Sequence, residues 1–109
     1  MLPHIYRLPA AQRLHHPLFR KTSLFSVKIA KNELDVSRYA FLVRKSIDKR
    51  AVVRNKIRRV FRSCVEDHLQ DIKPGYDMLF FLEKGIMDKP KTEVCHILQQ
   101  FLKDQQLLV

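Results

Sequence analysis

Positively charged residues are concentrated in one short segment of this sequence. Between Arg44 and Arg62 there are nine Lys and Arg residues, and Asp48 is the one acidic residue among them. Lys and Arg bind phosphate oxygens well, and Arg can hold a phosphate through two hydrogen bonds. The segment therefore predicts a surface that binds a polyanion. Its candidate contact residues are Lys45, Lys49, Arg50, Arg54, Asn55, Lys56, Arg58, Arg59 and Arg62.

A helix must hold most of these side chains, and apolar periodicity predicts one over residues 51–69. The apolar positions recur at spacings of three and four, which gives one buried stripe. Arg58, Arg59 and Arg62 then fall on the opposite, solvent side. Most cations of the helix lie in its first half, where the macrodipole disfavours cations. Charges placed only to stabilise the helix would put acidic residues near its start and basic residues near its end. The order in this sequence therefore favours a binding surface over a solvated basic face. The stripe consists of Val53, Ile57, Val60, Phe61, Cys64 and His68.

Alternating hydrophobicity predicts strands around this helix. From Leu24, one strand turns Val27 and its apolar neighbours to the core and turns Ser26 and Lys28 outward. A second strand is expected over residues 38–44, antiparallel to the first. A third, over residues 76–82, follows the helix, so strand, helix and strand form a crossover unit with parallel strands. The sequence thus predicts an α+β fold, a sheet packed by helices.

Shorter elements are expected at the two ends. The prolines near the N-terminus permit one short helix, over residues 10–16. A last helix is expected to carry Asp88 as its N-cap and Pro90 in its first turn. Its apolar residues, including Phe101 and Leu102, are expected to belong to the core rather than to a base-stacking surface.

Composition narrows the class of protein. The chain has 109 residues and a net charge of +10, which suits one domain spanning residues 1–109 and a nucleic-acid partner. No apolar run is long enough to span a bilayer, and the start lacks the apolar stretch of a secretory signal, so a cytoplasmic location is expected. Cys64 and Cys95 are then expected to be thiols in the core rather than disulfide or zinc ligands.

The basic segment also carries a recognisable motif. Residues 49–59, Lys-Arg-Ala-Val-Val-Arg-Asn-Lys-Ile-Arg-Arg, resemble the signature of the bacterial ribonuclease P protein component. That family has a lysine-rich turn, Ala-Val, Arg-Asn-Arg, an aliphatic residue and Lys-Arg. Val43, Lys45 and Ile47 match upstream, as does the opening Met-Leu-Pro followed by Tyr-Arg-Leu. Lys56 and Arg58 depart from the family residues but keep the charge.

The resemblance implies both a fold and a function. Family members have a ribosomal protein S5 domain 2-like α/β sandwich with a left-handed βαβ crossover through the basic helix. Each is the non-catalytic protein subunit of an endoribonuclease, ribonuclease P, whose catalytic RNA removes the 5′ leader of precursor tRNA. Mg²⁺ is bound mainly by that RNA and the substrate, so the resemblance implies no catalytic or metal-binding residue in the protein, and one protein per RNA.

The family's residue roles carry over to this chain by position. The helix contacts with the RNA subunit would be Arg54, Asn55, Lys56, Arg58 and Arg59, extended by Lys45, Lys49 and Arg50. The substrate leader would lie in a cleft between the sheet and the N-terminal helix. This chain departs from the family pattern in that helix, so Ser26 and Lys28 on the first strand are the cleft residues expected here.

Three other functions fit parts of the sequence. A ribosomal-protein-like structural RNA-binding module would share the charge but not the dependence on one ribozyme. A basic peripheral membrane protein would need apolar residues exposed beside the cations. An independent nuclease would need grouped carboxylates to hold metal, and the acidic residues of this chain are scattered.

Overall fold

Strands with alternating apolar residues pair into a mixed sheet. The computed structural model describes residues 2–9 and 12–109, and within them the sheet has four strands. These are β1 (Leu18–Lys21), β2 (Phe25–Lys31), β3 (Arg38–Leu42) and β4 (Tyr76–Leu82). Their order is β1-β2-β4-β3. The pairs β1–β2 and β2–β4 are antiparallel, and β3 and β4 are parallel.

The strand order corrects one prediction and confirms another. The sequence predicts that β2 and β3 form an antiparallel pair, and this is wrong because β4 lies between them. β4 is apolar on both faces along much of its length, so it takes a central place where both edges are paired. The parallel crossover is confirmed, since β3 leads into helix α1 (Ala51–Asp67) and α1 leads back to β4.

Aromatic residues join α1 to the sheet. The Phe61 ring of α1 lies 5.2 Å from the Phe25 ring and 5.0 Å from the Phe80 ring, measured between centroids. Ile57 and Phe61 have no exposed surface. Burial of a large apolar side chain contributes roughly 1.5–3 kcal/mol, so this face of α1 is fixed against the sheet. Of the predicted stripe, Ile57, Phe61 and Cys64 are buried, whereas Val53, Val60 and His68 are half-buried and His68 lies just beyond the end of α1. The opposite face of α1 points to solvent.

The N-terminal segment follows the edge of the sheet. A short 3-10 helix spans His4–Tyr6, and the Leu8 N–H then donates a hydrogen bond of 2.9 Å to the Tyr39 carbonyl oxygen of β3. The predicted helix over residues 10–16 begins with Ala10 and Ala11, which lie outside the described residues. Residues 12–16 contain no helix, so that part of the prediction is wrong. The chain goes on to β1, a strand that the sequence analysis did not predict.

The last helix, α2 (Lys91–Asp104), packs beside α1. Pro90 is its N-cap, so the prediction of Asp88 in that role and of Pro90 inside the helix is wrong. Asp88 instead ends a 3-10 helix, Lys84–Asp88, which follows β4. Phe101 and Leu102 are buried, as predicted.

A disulfide bond joins the two helices, which corrects the prediction of free thiols. Cys64 of α1 and Cys95 of α2 are bonded, and their Cα atoms are 5.0 Å apart. Facing positions on two packed helices bring the cysteines into the distance range of disulfides, although they are 31 residues apart in sequence. Cys64 is buried and Cys95 is half-buried.

Candidate RNA interface

The solvent side of α1 carries the predicted cationic residues. Asn55, Lys56 and Arg59 are exposed, whereas Arg54, Arg58 and Arg62 are half-buried at the edges of that face. The first turn of α1 holds no acidic residue and its last turn no basic residue, so the charge runs against the helix dipole. We call the set of predicted contact residues the cationic ridge: Lys45, Lys49, Arg50, Arg54, Asn55, Lys56, Arg58, Arg59 and Arg62.

The side chains of the ridge residues differ in whether ion pairs or hydrogen bonds within the protein hold them in place. Within residues 2–9 and 12–109, Lys45, Lys49, Lys56 and Arg59 make no ion pair or side-chain hydrogen bond. Arg58 donates a hydrogen bond to the Asn55 side-chain oxygen, and Arg62 Nε lies 3.7 Å from Glu66 Oε1. The ammonium of Lys56 and the guanidinium of Arg59 are therefore open to a phosphate on the helix surface itself.

Arg50 and Arg54 are held by the turn before α1. Arg50 Nε and Nη2 donate to the two carboxylate oxygens of Asp48, at 3.0 and 2.9 Å. Arg54 Nη1 donates to the backbone carbonyl oxygens of Asp48 and Lys49, both at 2.9 Å. Both arginines are predicted from the sequence to contact RNA directly, and in the structure each also has an intramolecular partner.

Asp48 is the centre of this turn. Its side chain is 5% exposed, and Lys84 Nζ lies 3.2 Å from its Oδ2. Hydrogen bonds from the Arg50 guanidinium and the Arg50 backbone N–H hold the pKa of the Asp48 carboxyl well below its usual range. Asp48 is therefore ionised across the physiological pH range, and it is surrounded by cations.

The sheet face turned away from the helices holds the second predicted set. Strand alternation places Ser26 and Lys28 on this face, as predicted, and the pairing register puts Ser26 opposite Phe81 of β4. Lys28 Nζ lies 5.9 Å from the centre of the Phe81 ring, and Arg44 Cζ lies 5.0 Å from it. We call this surface the open face, and it presents Phe19, Lys21, Ser26, Lys28, Leu42 and Phe81.

The open face meets the cationic ridge at Arg44. Ser26, Phe81 and Arg44 line one small cavity of about 90 Å³, and Arg44 directly precedes the turn that leads into α1. The sequence analysis missed Phe81 and Phe19 as surface residues. Phe81 lies in a largely apolar strand, and only its register against Ser26 shows which face it occupies. Phe19, 54% exposed, lies in the strand that was not predicted.

Two further features concern metal binding and membrane insertion. Among the described residues, no three His, Cys, Asp or Glu side chains group closely enough to hold a metal ion. In the same part of the chain, no helix is long and apolar enough to cross a membrane.

A mixed sheet with both helices on one face and a cationic ridge on the crossover helix defines a small α+β protein with a strongly cationic surface. The family model described as Ribonuclease P matches residues 13–106 of this chain. The chain therefore belongs to the ribonuclease P protein family.

Sequence similarity to two bacterial proteins supports this assignment. The chain is 31% identical over 81 residues to the ribonuclease P protein component of Clostridium botulinum (strain 657 / Type Ba4), covering 73% of this chain and 72% of the relative. It is also 31% identical over 68 residues to that of Synechocystis, covering 62% of this chain. That alignment spans 55% of the length of the Synechocystis protein.

Solved structures confirm the predicted α+β fold. The ribonuclease P protein of Staphylococcus aureus superposes with a TM-score of 0.74 at 24% identity, covering 99% of this chain and 95% of that one. The protein from Thermotoga maritima gives a TM-score of 0.74 at 22% identity, covering 82% and 84%.

Proposed function

We propose that this chain is the protein subunit of ribonuclease P and binds the catalytic RNA together with the 5′ leader of precursor tRNA. In this role it supports endonucleolytic removal of the leader, while the RNA carries out bond cleavage. Mg²⁺ belongs to the RNA and the substrate. One protein acts with one RNA in the bacterial cytoplasm.

The observation that carries the proposal is the position of the family motif in the structure. Residues 49–59 form the turn before α1 and the exposed first half of that helix. The ridge presents guanidinium and ammonium groups on a rigid scaffold, because the apolar stripe beneath it is fixed by Ile57 and Phe61. Such a surface suits the phosphates of a folded RNA, and contacts of this kind weaken as salt concentration rises.

The open face suits a single-stranded leader. An aromatic ring can stack on an unpaired base while neighbouring cations contact the adjacent phosphates. Lys28 and Arg44 both lie over the Phe81 ring, so a stacked base would take the place of a cation, which could then move to a phosphate. Ser26 adds a hydroxyl beside the ring, as its register requires. The leader would therefore run along the open face and pass the ridge at Arg44.

Cleavage of precursor tRNA tests the proposal directly. The ribonuclease P RNA of the same genome would be assayed at low Mg²⁺ with and without this protein. Added protein is expected to restore accurate 5′ maturation, because its cations replace part of the counterion screening that RNA–RNA contact needs. RNA binding without any stimulation would contradict the proposal and favour a ribosomal-protein-like structural module.

Replacement of Phe81 tests the open face separately. Phe81→Ala is expected to weaken binding of precursor tRNA to the assembled enzyme by about 5- to 100-fold, the range that loss of one stacked base gives. Phe81→Tyr keeps the ring and serves as the control. Binding of mature tRNA, which lacks the leader, should not change. An equal loss for mature tRNA would show that Phe81 does not contact the leader.

A further inference from the structure

Asp48 is an acidic residue in the middle of a surface for a polyanion. It lies in the turn between β3 and α1, and it is the one acidic residue between Arg44 and Arg62. On charge alone it opposes RNA binding, since it cancels part of the positive potential of the ridge. Its contacts indicate a different effect.

The Asp48 carboxylate fixes the orientation of Arg50. Its Oδ1 accepts hydrogen bonds from the Arg50 backbone N–H at 2.9 Å and from Arg50 Nε at 3.0 Å, and its Oδ2 accepts one from Arg50 Nη2 at 2.9 Å. One edge of the guanidinium therefore faces the carboxylate, and the N–H groups of Nη1 remain for a phosphate. Arg50 is 68% exposed, so this second edge lies at the surface.

The same residue ties two other cations to the start of α1. The Asp48 backbone oxygen accepts a hydrogen bond from Arg54 Nη1. Lys84, in the 3-10 helix after β4, makes an ion pair with Asp48 Oδ2. Free Arg and Lys side chains lose considerable rotamer entropy when they bind, and a side chain already held in place loses less.

We infer that Asp48 is a positioning residue for RNA binding, which acts by holding Arg50, and with it Arg54 and Lys84, in the orientation that receives RNA phosphates. This inference rests on the proposed function. It reverses the expectation from charge, because removal of this negative charge weakens RNA binding rather than strengthening it.

Binding of the full chain to the ribonuclease P RNA of the same genome tests the inference. Asp48→Asn keeps an oxygen that can accept from the Arg50 backbone N–H but loses the charge and the paired carboxylate oxygens. We expect a loss of affinity of about tenfold at fixed salt, as for a lost charged hydrogen bond. Asp88→Asn removes one negative charge from a side chain that is exposed and makes no ion pair within the described residues, so it is the matched control and should bind as tightly as wild type or slightly tighter.

A double-mutant cycle separates positioning from general stability. In an Arg50→Ala background, Asp48→Asn should cost little further affinity, because its main target is absent. Arg50→Lys keeps the positive charge but loses the planar guanidinium that forms two hydrogen bonds with Asp48. It should reproduce most of the loss of RNA affinity, and it tests the inference even if the Asp48 variants fold poorly. An equal loss from Asp48→Asn in both backgrounds, with reduced helix content by circular dichroism, would show a merely structural role and overturn the inference.

The outcomes also distinguish a failure of this inference from a failure of the proposed function. If the wild-type chain fails to bind that RNA, the proposed function is wrong and the role of Asp48 is wrong with it. If wild type binds but Asp48→Asn and Asp88→Asn have equal affinity, only the role of Asp48 is overturned.

Discussion

Replacement of Lys56 and Arg59 by alanine is expected to weaken binding to the ribonuclease P RNA by about 10- to 100-fold at physiological salt. Both side chains are exposed on α1, and neither has an intramolecular partner in the part of the chain that the structure describes. Their contacts to phosphate would therefore be lost without any change inside the protein. The slope of log affinity against log salt concentration should fall by about two, one for each phosphate contact.

The control must remove the same charge from another place. Lys31 and Lys103 are exposed on β2 and α2, and a Lys31→Ala/Lys103→Ala variant has the same net charge as the Lys56→Ala/Arg59→Ala variant. We expect this control to keep nearly all the wild-type affinity and salt dependence. Equal losses in the two variants would mean that net charge alone drives binding and that the ridge has no special place in it. Unfolding in urea would show that both variants keep the wild-type stability.

The elements that sequence analysis predicted well are those with strong local periodicity. The stripe through Ile57 and Phe61 indicates α1 within two residues of its observed end, and β4 has the predicted bounds. Both signals come from the spacing of apolar residues along one element, which burial on one face imposes. The outward position of Ser26 and Lys28 follows from the same alternation.

Features that depend on contacts between residues far apart in sequence could not be predicted from this periodicity. The apolar faces of β4 favour a central strand, but no local signal identifies β2 and β3 as its neighbours or shows that Cys64 and Cys95 face each other across two helices. The same distinction between local and distant signals applies to the candidate site. Exposure of Arg59 followed from periodicity, whereas the ion pair between Asp48 and Lys84 joins the turn before α1 to the 3-10 helix after β4. Phe81 was assigned to a face only by its strand register.

Reduction of the disulfide between Cys64 and Cys95 is expected to lower the free energy of unfolding by about 3–4 kcal/mol. The bond closes a loop with a sequence separation of 31 residues, which restricts the unfolded chain. The loss is a large fraction of the roughly 5–15 kcal/mol that stabilises a typical domain. Urea unfolding of the oxidised chain, with and without a thiol reductant, would measure it. A Cys64→Ala/Cys95→Ala variant should show no response to the reductant, and equal stability of oxidised and reduced wild type would contradict the prediction.

The same experiment bears on how the RNA surface is maintained. A reducing cytoplasm favours thiols, so the dithiol form must hold the ridge in place if the proposed location is correct. Ile57 is fully buried in the core and Phe61 packs on Phe25 and Phe80 of the sheet, and neither of these residues is part of the disulfide. We therefore expect reduced protein to be less stable but to bind the ribonuclease P RNA with unchanged affinity below its unfolding transition. A parallel loss of stability and affinity would instead show that the ridge depends on the bond between α1 and α2.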